Sequence, residues 1–124
     1  MEALKGYTDL EQSKSLAEFL PLESADMHYL TYSMYEEYCD EIVYTANLGK
    51  PGMYDKCCIP CWSLASLLNV LPEGMIENYY APNLQKEEGK YSIAYGNEKL
   101  LCIADNPIDC CVKMIIKLNE LKLL

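Results

Sequence analysis

The chain has 124 residues, with 19 acidic residues against 10 basic ones for a net charge of −9, and every basic residue is a lysine. So few cations and no guanidinium fork argue against a phosphate backbone as ligand, and nucleic acid is excluded as an expected partner. No run of about 18 apolar residues occurs, and no basic segment followed by an apolar one opens the chain, so the expectation is a cytoplasmic protein without a membrane span.

Thr8-Asp9-Leu10-Glu11 reads as a capping box, with Thr8 as N-cap and the Glu11 carboxylate returning to its backbone. The helix that follows carries Leu10, Leu16, Ala17 and Leu20 at helical spacing and stops at Pro21. Glu23 and Asp26 flank Ser24 and have the composition of a carboxylate pair, but a turn with a cap or Asx hydrogen bond is their simpler use. Met27 to Met34 and Glu41 to Ala46 are expected as two strands. His28 is the only histidine, and any Cys-His or His-Asp scheme has to use it; a lone histidine reads more simply as a partly exposed strand residue. Eleven tyrosines against one tryptophan and one phenylalanine suit half-buried strand positions, or a face that meets a partner protein. Asn47 to Lys56, with Gly49, Pro51 and Gly52, is expected as a loop.

Residues 57–72, CCIPCWSLASLLNVLP, combine three cysteines, the only tryptophan and a short helix. Ser63 is its N-cap, Leu64, Leu67, Leu68 and Leu71 its apolar positions, Trp62 a staple onto Leu67, and Pro72 the stop. Cys58 and Cys61 have the two-residue spacing of a dithiol beside a helix N-terminus, which would make Cys58 the attacking thiolate of a redox pair. That spacing resembles the thioredoxin active site, although no βαβ unit leads into it. Cys57, Cys58 and Cys61 are alternatively three zinc ligands, completed by a remote Cys39 or Cys102, but the second knuckle of a structural zinc site is missing. The simplest reading is that these thiols are small apolar fillers. Seven cysteines, an odd number with adjacent pairs at Cys57-Cys58 and Cys110-Cys111, suit free thiols in a reducing compartment better than a disulfide framework.

Ser15-Leu16-Ala17, Leu20-Pro21 and Met27 are echoed by Ser63-Leu64-Ala65, Leu71-Pro72 and Met75, which raises the hypothesis of two helix-then-strand units. Met75 to Ala81 is expected as a strand and Pro82 to Lys90 as a charged loop. Tyr91 to Tyr95 and Glu98 to Ala104 flank Gly96-Asn97, a pair suited to a two-residue hairpin turn. That turn would set Tyr95 opposite Glu98, Ile93 opposite Leu100 and Tyr91 opposite Cys102, on a buried face. The last helix, Asn106 to Leu121, has Asn106 as N-cap, Pro107 in its first turn and Asp109 where the helix dipole favours an anion. Its polar stripe of Asp109, Lys113, Lys117 and Glu120 is narrow, and the rest is apolar. So much apolar surface asks for a second helix or a second subunit, and the tail Leu121-Lys122-Leu123-Leu124 favours homodimerisation through this helix.

These elements make one α+β domain over residues 1–124, a mostly antiparallel sheet with helices on one face and the order αβββα in its C-terminal part. Double-stranded-RNA-binding domains share that order, but their RNA contact needs cations that are scarce here.

Three stretches, TDLEQSKSLAEFLPLESADM, IPCWSLASLLNVLP and ADNPIDCCVKMIIKLNEL, resemble small proteins encoded by gut Bacteroidales and by their phages and mobile elements. The resemblance implies a compact α+β protein with no assigned activity and no catalytic residues to carry over. In that group the positions of Cys58 and Cys61 are often not cysteine, which weakens the redox and zinc readings. The leading functional expectation is a non-enzymatic interaction protein without a cofactor, an accessory of a phage or mobile element that acts on a host target. Alternatives are a sponge for a small nucleotide signal, with tyrosines stacking on the base and Lys86, Lys90 or Lys99 near the phosphates, and a thiol-disulfide oxidoreductase using Cys58 and Cys61.

Overall fold

The computed structural model describes residues 5–31, 38–44, 58–73, 82–95 and 100–124. In chain order they form α1 (Leu10–Ala17), a short 3-10 turn (Leu22–Ser24), β1 (Met27–Thr31), β2 (Tyr38–Tyr44), β3 (Cys58–Cys61), α2 (Leu64–Val70), β4 (Asn83–Glu87), β5 (Lys90–Ala94), β6 (Leu101–Ala104) and α3 (Pro107–Glu120). This is an α+β protein, and α2 to α3 follow the expected αβββα order. The strands form two antiparallel three-stranded sheets, ordered β2-β1-β3 and β4-β5-β6.

The first helix starts one residue later than expected. Asp9, not Thr8, is the N-cap: its carboxylate accepts from the Gln12 N–H at 2.8 Å, and the Gln12 side chain returns to the Asp9 N–H at 3.0 Å. Thr8 is thereby freed to turn inward, where it is fully buried. The helix bounds count against the repeat hypothesis. Ser15-Leu16-Ala17 lies in the last part of α1, whereas Ser63 is the N-cap of α2, so the two copies occupy opposite ends of their helices.

In the first sheet β1 is central, with Tyr29 opposite Ile42 of β2 and Ile59 of β3. Met27, Tyr29 and Cys61 form a small buried cluster with Leu10 and Ile59 packed against it. The expected loop 47–56 and strand 75–81, like Cys57 and Gly96-Asn97, lie outside the described residues.

The second sheet corrects the reading of 82–90 as a loop. Asn83–Glu87 is a strand, paired to β5 through a two-residue turn at Glu88 (φ 51°) and Gly89 (φ 79°), the positive φ values that a tight right-twisted hairpin requires. Only Leu84 of this strand is half-buried, so the alternation that marks a strand in sequence is missing. The β5–β6 pairing is also displaced: Ile93 lies opposite Cys102 and Tyr91 opposite Ala104, while the Tyr95 N–H donates to Leu100 O at 3.1 Å. The register therefore differs by two residues from that of a two-residue turn. A two-residue slip preserves side-chain direction, so Ile93, Tyr95, Leu100 and Ala104 remain on the buried face.

That face receives α3, which begins as expected: Asn106 Oδ1 accepts from the Asp109 N–H at 2.8 Å and Pro107 sits in the first turn. Most of the apolar breadth of α3 is covered within the chain, while Leu121 and Leu124 at its end stay exposed. The core joins α3 to β5 and β6, to Leu67 and Leu71 around α2, and to Leu16 and Trp62, and Ile108, Cys111, Met114, Ile115 and Leu118 are fully buried. The tail folds back as well. Lys122 (φ 59°) donates to Asn119 O at 3.0 Å and Leu123 to Leu118 O at 2.8 Å, a Schellman stop that brings Leu123 against the core.

Candidate functional site

Two places gather the residues that the sequence singles out: the junction around β3, and the two faces of the β4-β5-β6 sheet. At the junction, residues 7 and 8 run beside the end of β3, with a bridge between Tyr7 and Ser63 and the Thr8 N–H donating to Trp62 O at 2.9 Å. Thr8 Oγ1 accepts from the Trp62 N–H at 3.1 Å, shares a hydrogen with Ser13 Oγ at 2.8 Å and lies 3.6 Å from Cys61 Sγ. The Tyr29 hydroxyl donates to Thr8 O at 2.7 Å, and Cys61 Sγ donates to the same carbonyl at 3.5 Å. Thr8, Ser13 and Cys61 are fully buried. Burial pushes the Cys61 thiol above its ordinary value, against hydrogen bonds from Thr8, Ser13 and Tyr29 that pull it down. Burial likewise raises Tyr29, and the neighbouring Cys61 adds to the effect. Cys61 and Tyr29 are thus held as neutral hydrogen-bonding partners.

Strand geometry opposes the dithiol reading independently. Cys58 to Cys61 is extended backbone, and three residues at about 3.3 Å each separate their Cα atoms by roughly 10 Å. A disulfide spans no more than about 7 Å between Cα atoms, so this conformation does not close Cys58 onto Cys61. For the zinc alternative, no three histidine, cysteine or acidic side chains gather into a metal-binding group among the described residues. Cys102, the remote ligand considered for it, lies on β6 in the other sheet, and burial raises its thiol despite Lys117 and Lys113 nearby. Cys110 donates to Cys102 O at 3.3 Å and Tyr91 O at 3.5 Å; burial and the adjacent Cys102 lift it to about 11. It acts as a buried donor to the backbone.

The turn acids also have structural uses. Asp26 accepts from the Ser63 N–H at 3.0 Å and from the Ser63 hydroxyl at 2.5 Å, while Ser63 Oγ accepts from the Ser66 N–H at 3.3 Å. Burial works to raise the Asp26 carboxyl, but the Ser63 hydrogen bonds outweigh it and hold the group below its ordinary value. Asp26 thus anchors the N-cap of α2, and Ser24 Oγ accepts the Trp62 indole N–H at 3.0 Å. Glu23 is exposed and does not form a carboxylate pair with Asp26 in these contacts. His28 sits in β1 opposite Pro60, 7% exposed, and burial lowers its pKa.

On the second sheet, Lys90 is engaged with Asp105, and Lys86 lies 5.6 Å from the centre of the Tyr91 ring. Lys99 falls outside the described residues. The register puts Leu101 and Ile103 of β6 on the face opposite α3, beside Ala94 and Ser92 of β5 and Asn83 and Gln85 of β4. Leu101 is 39% exposed and Ile103 53%, on a sheet whose other face is core. Lys113 Nζ, from α3, donates to Ile103 O at 3.1 Å along the edge of β6, while Glu87 and Glu88 stand at the hairpin end. Sequence reading passes over this surface because Leu101 and Ile103 look like ordinary strand apolars; only the register assigns them to the outer face. Compared with known proteins, the chain matches no family model, no curated sequence and no solved structure. No helix among the described residues is long and apolar enough to cross a membrane.

Proposed function

We propose that the chain is a non-enzymatic interaction protein that meets a protein partner through the outer face of the β4-β5-β6 sheet. The observation carrying this reading is the exposure of Leu101 and Ile103 at successive outward positions of β6, beside Ala94 and Ser92, with Glu87 and the Lys90–Asp105 ion pair of the same face towards its hairpin end. Three strands spaced about 4.8 Å apart and about five residues long offer roughly 240 Å² in projection, against about 800 Å² per partner in a standard interface. The patch alone is therefore an anchor within a larger contact. Self-association through α3 is the weaker reading, since Ile108, Cys111, Met114, Ile115 and Leu118 are covered within the chain and only Leu121 and Leu124 of its apolar end stay exposed. A nucleotide sponge gains no support from Lys90, whose charge is taken up by Asp105. The resemblance to proteins of gut Bacteroidales and their phages makes a host protein the partner to seek.

The test is affinity capture from a Bacteroidales lysate with three tagged proteins: wild type, Ile103→Asp, and Leu22→Asp as a control at an equally exposed apolar site elsewhere, 55% against 53%. Both substitutions should leave stability within about 0.5 kcal/mol. A protein retained by wild type and Leu22→Asp but lost with Ile103→Asp is the expected result. Identical capture by all three would remove the proposed face. Native mass spectrometry of the same preparation would revive the zinc or nucleotide readings if extra mass disappeared on denaturation.

A further inference from the structure

We draw no further inference here: the strongest candidate, the outer face of the β4-β5-β6 sheet around Leu101 and Ile103, is the surface already proposed for partner binding, and with Lys113 at its β6 edge and Glu87 and Glu88 at its hairpin end, nothing in the structure shows what covers it.

Discussion

The two sheets are held to their helices by different kinds of contact. Where β3 meets α1 and residues 7 and 8, the buried centre is polar, with Thr8, Ser13, Tyr29 and Cys61 exchanging hydrogen bonds. Where β5 and β6 meet α3, it is made of Ile93, Leu100, Ile108, Met114, Ile115 and Leu118. An apolar seal depends on volume and tolerates reshaping by any side chain that fills the space. A polar seal depends on the identity of single atoms, because a buried donor or acceptor left without its partner keeps the full cost of desolvation. The same size of substitution should therefore act differently on the two sides.

The largest effect belongs to the apolar side. Met114→Ala removes a fully buried side chain and should cost about 2–5 kcal/mol, the transfer of its methylenes plus the cavity left behind. Met114→Leu, similar in volume, should cost less than about 1.5 kcal/mol. Urea denaturation of both variants reads the contrast directly. If Met114→Leu were as damaging as Met114→Ala, volume would not be what holds α3.

On the polar side the informative change keeps volume and removes one atom. Thr8→Val deletes the acceptor of the Trp62 N–H and the partner of Ser13 Oγ, and should cost about 1–3 kcal/mol although no cavity forms. Thr8→Ser keeps the hydroxyl and should cost less. The reverse order would make the Thr8 methyl, not its hydrogen bonds, the important group.

This contrast also explains what was legible in the sequence. Ser63, Asn106 and Pro107 announce their helix starts through local chemistry, and the alternation in 91–95 and 98–104 identifies the buried face of β5 and β6. The polar seal was hidden because it joins residues 8, 13, 29 and 61, far apart in the chain, and because Thr8 looked like the better cap. Asp9 and Gln12 perform the capping equally well one position later, and only the packing against Trp62 decides between the two registers. Cys58 and Cys61 show a related limit: a spacing of three suits a turn entering a helix, but here both positions are paired to β1 within β3. β4 was missed because an exposed edge strand has little apolar pattern to show.

The polar side should respond to pH as well, and in two stages. Burial holds His28 below its ordinary value of 6.5, so the unfolded chain takes up its proton first and stability should fall as pH drops below about 6.5. A second loss belongs to Asp26 and Asp109, whose folded pKa values lie below 3.8. For Asp109, burial acts upward, but hydrogen bonds from Lys5 at 2.8 Å, Gln12 at 2.8 Å and Asn106 at 2.8 Å outweigh it. Their contribution is complete above that ordinary value and disappears as pH falls through the lower folded values. Urea midpoints from pH 7.5 to 3 should show both stages, with His28→Gln flattening the upper one alone. An unchanged upper limb in that variant would assign it to another group.

The smallest predicted effect lies at the end of the apolar seal. Lys122 holds a left-handed φ of 59° so that Leu123 can bond back to Leu118 O and pack on the core. A non-glycine residue in that conformation is strained by about 1–2 kcal/mol, whereas glycine would bring about 0.5–1 kcal/mol of extra freedom to the unfolded chain. The two terms oppose, and Lys122→Gly should raise stability by a net ~0.5 kcal/mol. The urea midpoint should move upward with an unchanged slope, because the surface buried on folding stays the same. Lys122→Val sharpens the comparison, since a β-branched side chain tolerates this φ worst and should lower the midpoint. If glycine destabilised the protein and valine did not, the turn at Lys122 would not be what closes the tail over α3, and the intramolecular cover of that helix would end at Leu118.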